Sequence, residues 1–198
     1  MANTTGMLIF DDAEELDFVG PWEVFTMVRH ILPDERVITI APTLEPIRAA
    51  KGMRIIPDHS FADAPELDVV LVPGGIGTRR EVNNPVLIDW LRKAGARCTW
   101  VTSVCTGSLL LHEAGFAKGR RVTTHWGFVT ALRERGADVL ERVRYVRDGN
   151  LVTAAGVSAG IDMSLYLVSK LKDPSTAKAV QKMMEYYPKP PEFAEAAV

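Results

Sequence analysis

The strongest constraint on the fold of this chain comes from two segments that are predicted to be buried strands. Each of them is followed directly by a glycine-containing turn. The segments DVVLVPGG (68–75) and CTWVTSV (98–104) are largely apolar and rich in β-branched residues. Continuous runs of this kind are typical of strands buried on both faces, as in a parallel sheet covered by helices. The first run ends in Pro-Gly-Gly and the second is followed by Cys-Thr-Gly, so a sharp turn is predicted at each strand end.

The remaining chain alternates hydrophobic runs with helical patterns, which predicts an α/β fold with a mostly parallel sheet and helices on both faces. The other predicted strands are 6–10, 36–42 and a pair around the turn 148–150, with a short hairpin within 47–58. The predicted helices are 18–30, 85–94, 109–115, 127–135, 158–171 and 174–187. The proline-rich tail YYPKPPEF is predicted to lie across the surface or against a partner subunit. Neither a repeat nor a low-complexity linker divides the chain, so residues 1–198 are predicted to form a single domain.

Composition disfavours several classes of function. The chain has 198 residues, a net charge of −2 and 23 Lys and Arg residues spread along its length, so we expect no nucleic-acid partner. No apolar run approaches a membrane span, and MANTTG lacks the basic region of a signal peptide. With only two cysteines, Cys98 and Cys105, and no spacing typical of a metal site, we expect a cytoplasmic protein without disulfide or metal.

Cys105 stands at the point where a predicted buried strand turns into a helix. Ser-Val-Cys-Thr-Gly has the layout of the G-x-S-x-G nucleophile elbow, with cysteine at its centre. Such a turn strains the central residue, exposes its side chain and places it at a helix N-terminus, where thiolate is favoured. We therefore predict that Cys105 is the nucleophile and reacts with iodoacetamide. The alternative, a small buried hydrophobe, is the interpretation we keep for Cys98.

Three further strand ends offer groups that could assist this cysteine. Asp17 follows the first strand between two apolar residues, and it is either an N-cap or a carboxyl that carries a proton beside the thiol. Gly74 and Gly75 are predicted to supply backbone amides for an oxyanion hole, to which Thr106 adds an amide and a hydroxyl. His125, at another predicted strand exit, is a candidate for the border of the pocket.

Together these motifs resemble the ThiJ/PfpI superfamily. The resemblance rests on LDFVGPWEV, TSVCTGS, GRRVTTHW and RDGNLVTAAGVSAGID, which occur in order and cover nearly the whole chain. It implies a flavodoxin-like three-layer sandwich, shared with class I glutamine amidotransferases, and a homodimer. Asp17, Cys-Thr-Gly and THW look most like isocyanide (isonitrile) hydratases. Thr106 stands where the proteases of this superfamily have histidine, and Asp17 where the chaperone branch has glutamate, so both activities are disfavoured.

For an isocyanide hydratase, the resemblance implies that Cys105 attacks the isocyanide carbon while Asp17 delivers a proton. Water then adds to the thioimidate, and an N-substituted formamide is released. Thr106 and the Gly75 amide would orient the carboxyl, and neither metal nor organic cofactor is required.

Other functions remain open. The same motifs occur in amino-terminal domains of AraC-type regulators, but few residues follow PKPPEF, so we expect no DNA-binding region. A cysteine-based redox or small-molecule sensor, and another hydratase or glyoxalase-like enzyme, are the alternatives.

Overall fold

The computed structural model describes residues 2–187. The strands are β1 (Thr4–Leu8), β2 (Arg36–Ala41), β3 (Ile47–Arg48), β4 (Arg54–Ile55), β5 (His59–Ser60), β6 (Val69–Val72), β7 (Trp100–Val104), β8 (Arg121–Val122), β9 (Asp138–Val139), β10 (Tyr145–Asp148) and β11 (Leu151–Ala154). The α-helices are α1 (Glu15–Met27), α2 (Thr78–Glu81), α3 (Pro85–Gly95), α4 (Gly107–Glu113), α5 (Val129–Glu134), α6 (Ala159–Leu171) and α7 (Pro174–Met183). Short 3₁₀ helices span Val28–His30 and Trp126–Phe128.

A seven-stranded sheet organises these elements, in the order β10-β11-β7-β6-β1-β2-β5. Every neighbouring pair in it is parallel except β10 and β11, which are antiparallel. Strands β3 and β4 form the predicted hairpin, and β8 pairs with β9 in a separate two-stranded ribbon. The predicted α/β class, with a mostly parallel flavodoxin-like sheet, is confirmed.

The core follows from the same apolar runs. All residues of β6 and β7 are buried, as expected of strands covered on both faces. Helices α1, α6 and α7 pack on one another, and α2 and α3 pack on α4. In the part of the chain that the structure describes, no helix has the length and apolarity needed to cross a membrane.

Some boundaries differ from the predicted ones for identifiable reasons. Helix α1 begins at Glu15 rather than near Phe18, and its N-cap, Glu14, makes no side-chain cap. This start carries no capping signal in the sequence. Helix α7 ends at Met183 instead of near Tyr187. The chain leaves the helix at Glu185, whose φ is +49°, and the sequence gives no signal for this end because that position is neither glycine nor proline. Strand β1 is shifted to Thr4–Leu8. The predicted placement of the tail falls mostly outside the described residues.

Candidate active site

The loops that follow β1, β6 and β7 meet at one edge of the sheet. These three strands are neighbours and run in parallel, so their carboxyl ends lie side by side. The loop after β1 is tied directly to the loop after β6, since the Glu14 N–H donates to the Gly74 carbonyl at 3.0 Å. Asp17, the glycine pair and Cys105 are therefore assembled as the order of the strands requires.

Cys105 occupies the strained turn that the motif predicts. Its φ is +57°, in the left-handed region that non-glycine residues seldom adopt. Its N–H donates to the Ala154 carbonyl at 3.0 Å, and its own carbonyl accepts hydrogen bonds from Ser108 Oγ (3.1 Å) and Thr124 Oγ1 (3.0 Å). At Gly107 a Cβ atom would lie 2.1 Å from the Val72 carbonyl oxygen. The elbow is thus held on both sides and needs glycine where α4 meets the sheet.

The expected exposure of Cys105 is wrong, and so is the expectation that its thiolate form is favoured. Cys105 is 6% exposed and Cys98 is 7% exposed, so accessibility does not distinguish the two cysteines. Burial raises the pKa of the Cys105 thiol to about 12, and the Asp17 charge adds to this increase. The Thr106 amide and hydroxyl and the Gly75 amide lower that pKa, but they do not outweigh the loss of solvation. Burial likewise raises the pKa of Cys98 to about 12.

What distinguishes the two thiols is their surroundings. The Cys98 thiol donates to the Ala94 carbonyl at 3.3 Å, which is a structural contact within the end of a helix. Cys105 instead interacts with a carboxyl and with two backbone amides. Asp68 and Arg97 act on the Cys98 thiol through their charges alone, whereas the Cys105 thiol hydrogen-bonds to a carboxyl and to two backbone amides.

Asp17 is fully buried in the first turn of α1. Its Oδ2 accepts a hydrogen bond from the Gly74 N–H at 2.8 Å. Burial raises its pKa from 3.8 to about 7, with a further rise from Glu14, while the Gly74 amide and the Cys105 thiol oppose the shift. Oδ1 is buried without a well-aligned hydrogen-bond donor, although the thiol interaction favours its charged form. Asp17 is therefore not an N-cap, because Glu14 holds that position and the Asp17 side chain bonds to another loop.

The Asp17 carboxyl and the Cys105 thiol form a coupled pair. The charge of Asp17 raises the pKa of the thiol, and the thiol interaction lowers the pKa of Asp17. Between about pH 7 and pH 12 the pair as a whole therefore holds one proton. A group that exchanges its proton near neutral pH beside a nucleophile suits general acid-base chemistry.

The glycine pair brings the β6 loop against the elbow. A Cβ atom on Gly74 would lie 2.5 Å from the Thr106 backbone nitrogen. The Gly75 N–H lies 3.1 Å from Thr106 Oγ1 and also interacts with the Cys105 sulfur. The Gly74 amide is engaged by Asp17, so the amides facing the sulfur are those of Gly75 and Thr106. Their action as an oxyanion hole stays a prediction.

Three residues that support the elbow were missed by sequence reasoning. Thr78 Oγ1 lies 3.1 Å from Thr106 Oγ1, and Ser108 Oγ lies 2.8 Å from Thr124 Oγ1. These hydroxyls come from α2, α4 and the segment before the 3₁₀ helix. For Ser108 the motif CTGS offered a signal, whereas nothing local marks Thr78 or Thr124 as a neighbour of the elbow.

His125 lines a cavity of about 470 Å³, whose lining also includes Thr124, a hydrogen-bond partner of the Cys105 carbonyl. Ala155 and Gly156, which follow Ala154 in the chain, line the cavity as well, and the Ala154 carbonyl accepts a hydrogen bond from the Cys105 N–H. His125 Nδ1 accepts a hydrogen bond from the Gly127 N–H at 3.2 Å, and its ring packs against Trp126. His125 is thus at a pocket border, where it caps the 3₁₀ helix and makes no hydrogen bond to Asp17 or Cys105. Across residues 2–187, no group of three His, Cys, Asp or Glu side chains is arranged to hold a metal ion.

The fold and the site together define the class of this protein. It is an α/β protein with a mostly parallel sheet, a cysteine at a strand-to-helix turn and a buried carboxyl beside that cysteine. The pattern of the DJ-1/PfpI family matches residues 5–170, and the chain belongs to that family. The resemblance to ThiJ/PfpI proteins in the sequence is thereby confirmed.

Comparison with three individual proteins adds detail to this family assignment. Isonitrile hydratase of Pseudomonas putida is 41% identical over 191 residues, which cover 96% of this chain and 82% of that protein. A ThiJ/PfpI family protein of Pseudomonas syringae has a crystal structure that superimposes with a TM-score of 0.90 at 35% identity, covering 99% of this chain and 80% of that one. The HTH-type transcriptional regulator CdhR of Pseudomonas aeruginosa is 32% identical over 138 residues, covering 69% of this chain and 41% of the regulator.

Proposed function

We propose that this protein hydrates an isocyanide to an N-substituted formamide, with Cys105 as covalent nucleophile and Asp17 as proton shuttle. The similarity to isonitrile hydratase over nearly the full chain supports the reaction. The observation that carries the mechanism is the buried Asp17 carboxyl, whose pKa is about 7 and which interacts with the Cys105 thiol. A carboxyl of that acidity can both take and give a proton near neutral pH.

In the first step, the sulfur forms a bond to the terminal carbon of R–N≡C. The thiol proton passes to the Asp17 carboxylate as the sulfur attacks, and Asp17 returns it to the same carbon, giving the thioimidate R–N=CH–S–Cys. The Gly75 and Thr106 amides stabilise the developing negative charge on sulfur, as their effect on the Cys105 pKa indicates. The substituent R extends toward the cavity beside Thr124 and His125.

In the second step, Asp17 takes a proton from water as the oxygen adds to the thioimidate carbon. That proton reaches the substrate nitrogen, giving R–NH–CH(OH)–S–Cys. The carbon–sulfur bond then breaks, the hydroxyl proton goes to the sulfur by way of Asp17, and R–NH–CHO leaves. One water is consumed for each isocyanide and Cys105 is regenerated, so the chemistry uses the residues of this chain alone.

The test is turnover of an aryl isocyanide to its formamide by the purified protein, followed by mass spectrometry. We expect Cys105→Ala to abolish turnover and to prevent any covalent adduct. Cys98→Ala is the matched control, because Cys98 is equally buried and equally weak as an acid but its thiol hydrogen-bonds to the Ala94 carbonyl and not to a carboxyl; the variant should turn over substrate as the parent does. Normal turnover in Cys105→Ala would overturn the mechanism, and no turnover in the parent would overturn the reaction.

Two alternatives remain: a redox or small-molecule sensor, and another hydratase or glyoxalase-like enzyme. Sensor cysteines are accessible and have a low pKa, whereas Cys105 is buried and its pKa is raised. The Cys105 thiol therefore lacks the properties of a redox sensor, and the similarity to isonitrile hydratase is what supports the hydratase. Location in the cytoplasm, the homodimer and independence of a cofactor stay predictions, as does the lack of a nucleic-acid or membrane partner.

A further inference from the structure

One arginine near the elbow is held in place without a carboxylate partner. Arg79, the second residue of α2, is exposed. Its Nη1 donates to the Gly75 carbonyl at 2.9 Å, and its guanidinium lies 4.6 Å from the centre of the Phe128 ring. Among residues 2–187, no acidic side chain forms an ion pair with it. The hydrogen bond to Gly75 and the contact with Phe128 hold the Arg79 side chain in place, but neither contact neutralises its positive charge.

The adjacent arginine shows what a purely structural role looks like here. Arg80 pairs with Asp12 at 3.0 Å and with Glu81 at 2.8 Å, and it also donates to the Asp11 carbonyl at 2.7 Å. Its charge is compensated and its guanidinium donors are engaged. Arg79 lies on the same short helix. One of its guanidinium N–H groups donates to the Gly75 carbonyl, and the others are available to a further acceptor.

The position of Arg79 links it to the reacting sulfur. The Gly75 residue that accepts from Arg79 through its carbonyl directs its N–H toward Cys105. By standard bond and hydrogen-bond lengths, the guanidinium is therefore within roughly 10 Å of the sulfur. Phe128 belongs to the same 3₁₀ helix as Trp126, which lines the cavity beside the elbow.

The surroundings of Arg79 suit an anion attached to an apolar body. Ile76 is 61% exposed and Trp126 is 84% exposed, so apolar surface lies on the loop and on the 3₁₀ helix that Arg79 connects. The guanidinium fork matches the geometry of a carboxylate, which it binds through two parallel hydrogen bonds.

We infer that Arg79 is a specificity-determining residue, which binds a carboxylate carried on the substituent of the isocyanide. The inference rests on the proposed function and names its substrate class: an isocyanide whose aromatic or aliphatic body bears a carboxylate. Because Arg79 is already ordered by Gly75 and Phe128, little side-chain entropy is lost when the carboxylate binds.

The kinetic experiment compares para-isocyanobenzoate with its methyl ester, which has a similar shape and no charge. The parent should prefer the carboxylate by about 10- to 100-fold in kcat/KM, the range expected of a hydrogen-bonded charge pair. Arg79→Met should lose that preference through KM, so that kcat/KM falls about 10- to 100-fold more for the carboxylate than for the ester. Arg80→Met is the control of equal charge and should keep the preference. A parent without preference, or an Arg79→Met variant that slows both substrates equally, would overturn the inference, the latter leaving Arg79 as a support for Gly75 only.

A binding experiment separates this inference from the proposed reaction. Benzoate is titrated into the parent, Arg79→Met, Arg79→Gln and Arg80→Met by calorimetry, with benzamide as the uncharged control. Benzoate should bind the parent and Arg80→Met about equally and bind both Arg79 variants about 10- to 100-fold more weakly. If no isocyanide is turned over but this pattern appears, the reaction is wrong and the anion site stands. Equal benzoate affinity in all four proteins, or none in the parent, removes the site.

Discussion

The buried Asp17 carboxyl opposes ionisation of the Cys105 thiol, although the proposed mechanism needs both groups. The Asp17 charge raises the pKa of the Cys105 thiol, so removing that charge makes the thiol a stronger acid. In the proposed mechanism the proton must also be moved to the substrate and back, which an amide does not do. When the charge of Asp17 is removed, the Cys105 thiol should therefore become a stronger acid while turnover becomes slower.

Asp17→Asn tests this at the residue scale. We expect turnover to fall by about 10²- to 10⁴-fold, the usual contribution of general acid-base catalysis. The thiolate absorbance of Cys105 should appear at a lower pH than in the parent, when followed in a Cys98→Ala background. Full activity in Asp17→Asn would remove the proton-shuttle role. An unchanged thiol titration would mean that the carboxyl and the sulfur are not coupled.

The same substitution should stabilise the fold above neutral pH. The pKa of Asp17 rises from 3.8 to about 7 on folding, so the folded protein retains a proton that the unfolded chain releases. The stabilising contribution of that proton is complete below about pH 3.8 and is lost as the pH rises through about 7. A shift of this size corresponds to at most about 4 kcal/mol for a fully buried group.

Chemical denaturation of the parent and of Asp17→Asn across this range measures the effect. At about pH 8 the variant should have the larger free energy of unfolding, by up to about 4 kcal/mol, and the difference should shrink as the pH falls toward about 5. A difference that is independent of pH, or that grows on acidification, would show that the charge on Asp17 is not the cause.

At the scale of elements, the contact of α4 with the sheet decides where the nucleophile sits. Gly107 begins α4, and its hydrogen replaces a Cβ atom that would lie 2.1 Å from the Val72 carbonyl oxygen of β6. Since that oxygen belongs to backbone in the centre of the sheet, a side chain at this position must push the whole helix away. Cys105, two residues earlier, would move with it.

We expect Gly107→Ala to destabilise the fold by about 1–3 kcal/mol or more and to reduce turnover. Gly127→Ala is the matched control, because its Cβ atom would lie an ordinary 3.4 Å from His125 Nδ1, and it should change stability by less than about 0.5 kcal/mol. The measurements are thermal unfolding and turnover for each variant. Equal effects of the two substitutions would mean that the close approach of α4 to β6 is not what positions the elbow.

The elements also show which parts of the site are predictable from sequence. The elbow at Cys105 was predicted because Val-Cys-Thr-Gly dictates it locally, and the fold because β6 and β7 are continuous apolar runs. The burial of Cys105 could not be predicted, because it depends on loops that are distant in sequence. The loss of solvation raises the pKa of the thiol by more than the neighbouring backbone amides lower it. The neighbours Thr78 and Thr124 were missed for the same reason, because their contacts to the elbow are tertiary, whereas the start of α1 was missed because no capping residue marks it.

At the scale of the whole molecule, we predict a homodimer, from the family resemblance and the apolar, proline-rich tail. Sedimentation equilibrium at micromolar protein concentration should give a mass twice the 21.8 kDa of the chain. A truncation before Pro188 is the informative comparison, because it removes most of that tail and leaves all described helices and strands intact. A full-length protein of monomer mass would contradict the dimer, and a dimeric truncation would contradict the part assigned to the tail.

The central place of β1 in the sheet has a consequence for how the protein is made. This strand precedes the other strands of the sheet in the chain, yet its partners follow much later: Thr4 pairs with Arg36 of β2, and Thr5 pairs with Val69 of β6. Until both partners have been synthesised, the two edges of β1 offer unpaired backbone groups to any other extended chain. Cys105 is synthesised later still, so the nascent thiol stays unshielded until β6 and β11 close around it. Synthesis at high speed or high concentration should therefore favour aggregation and damage at this cysteine before the finished sheet protects both.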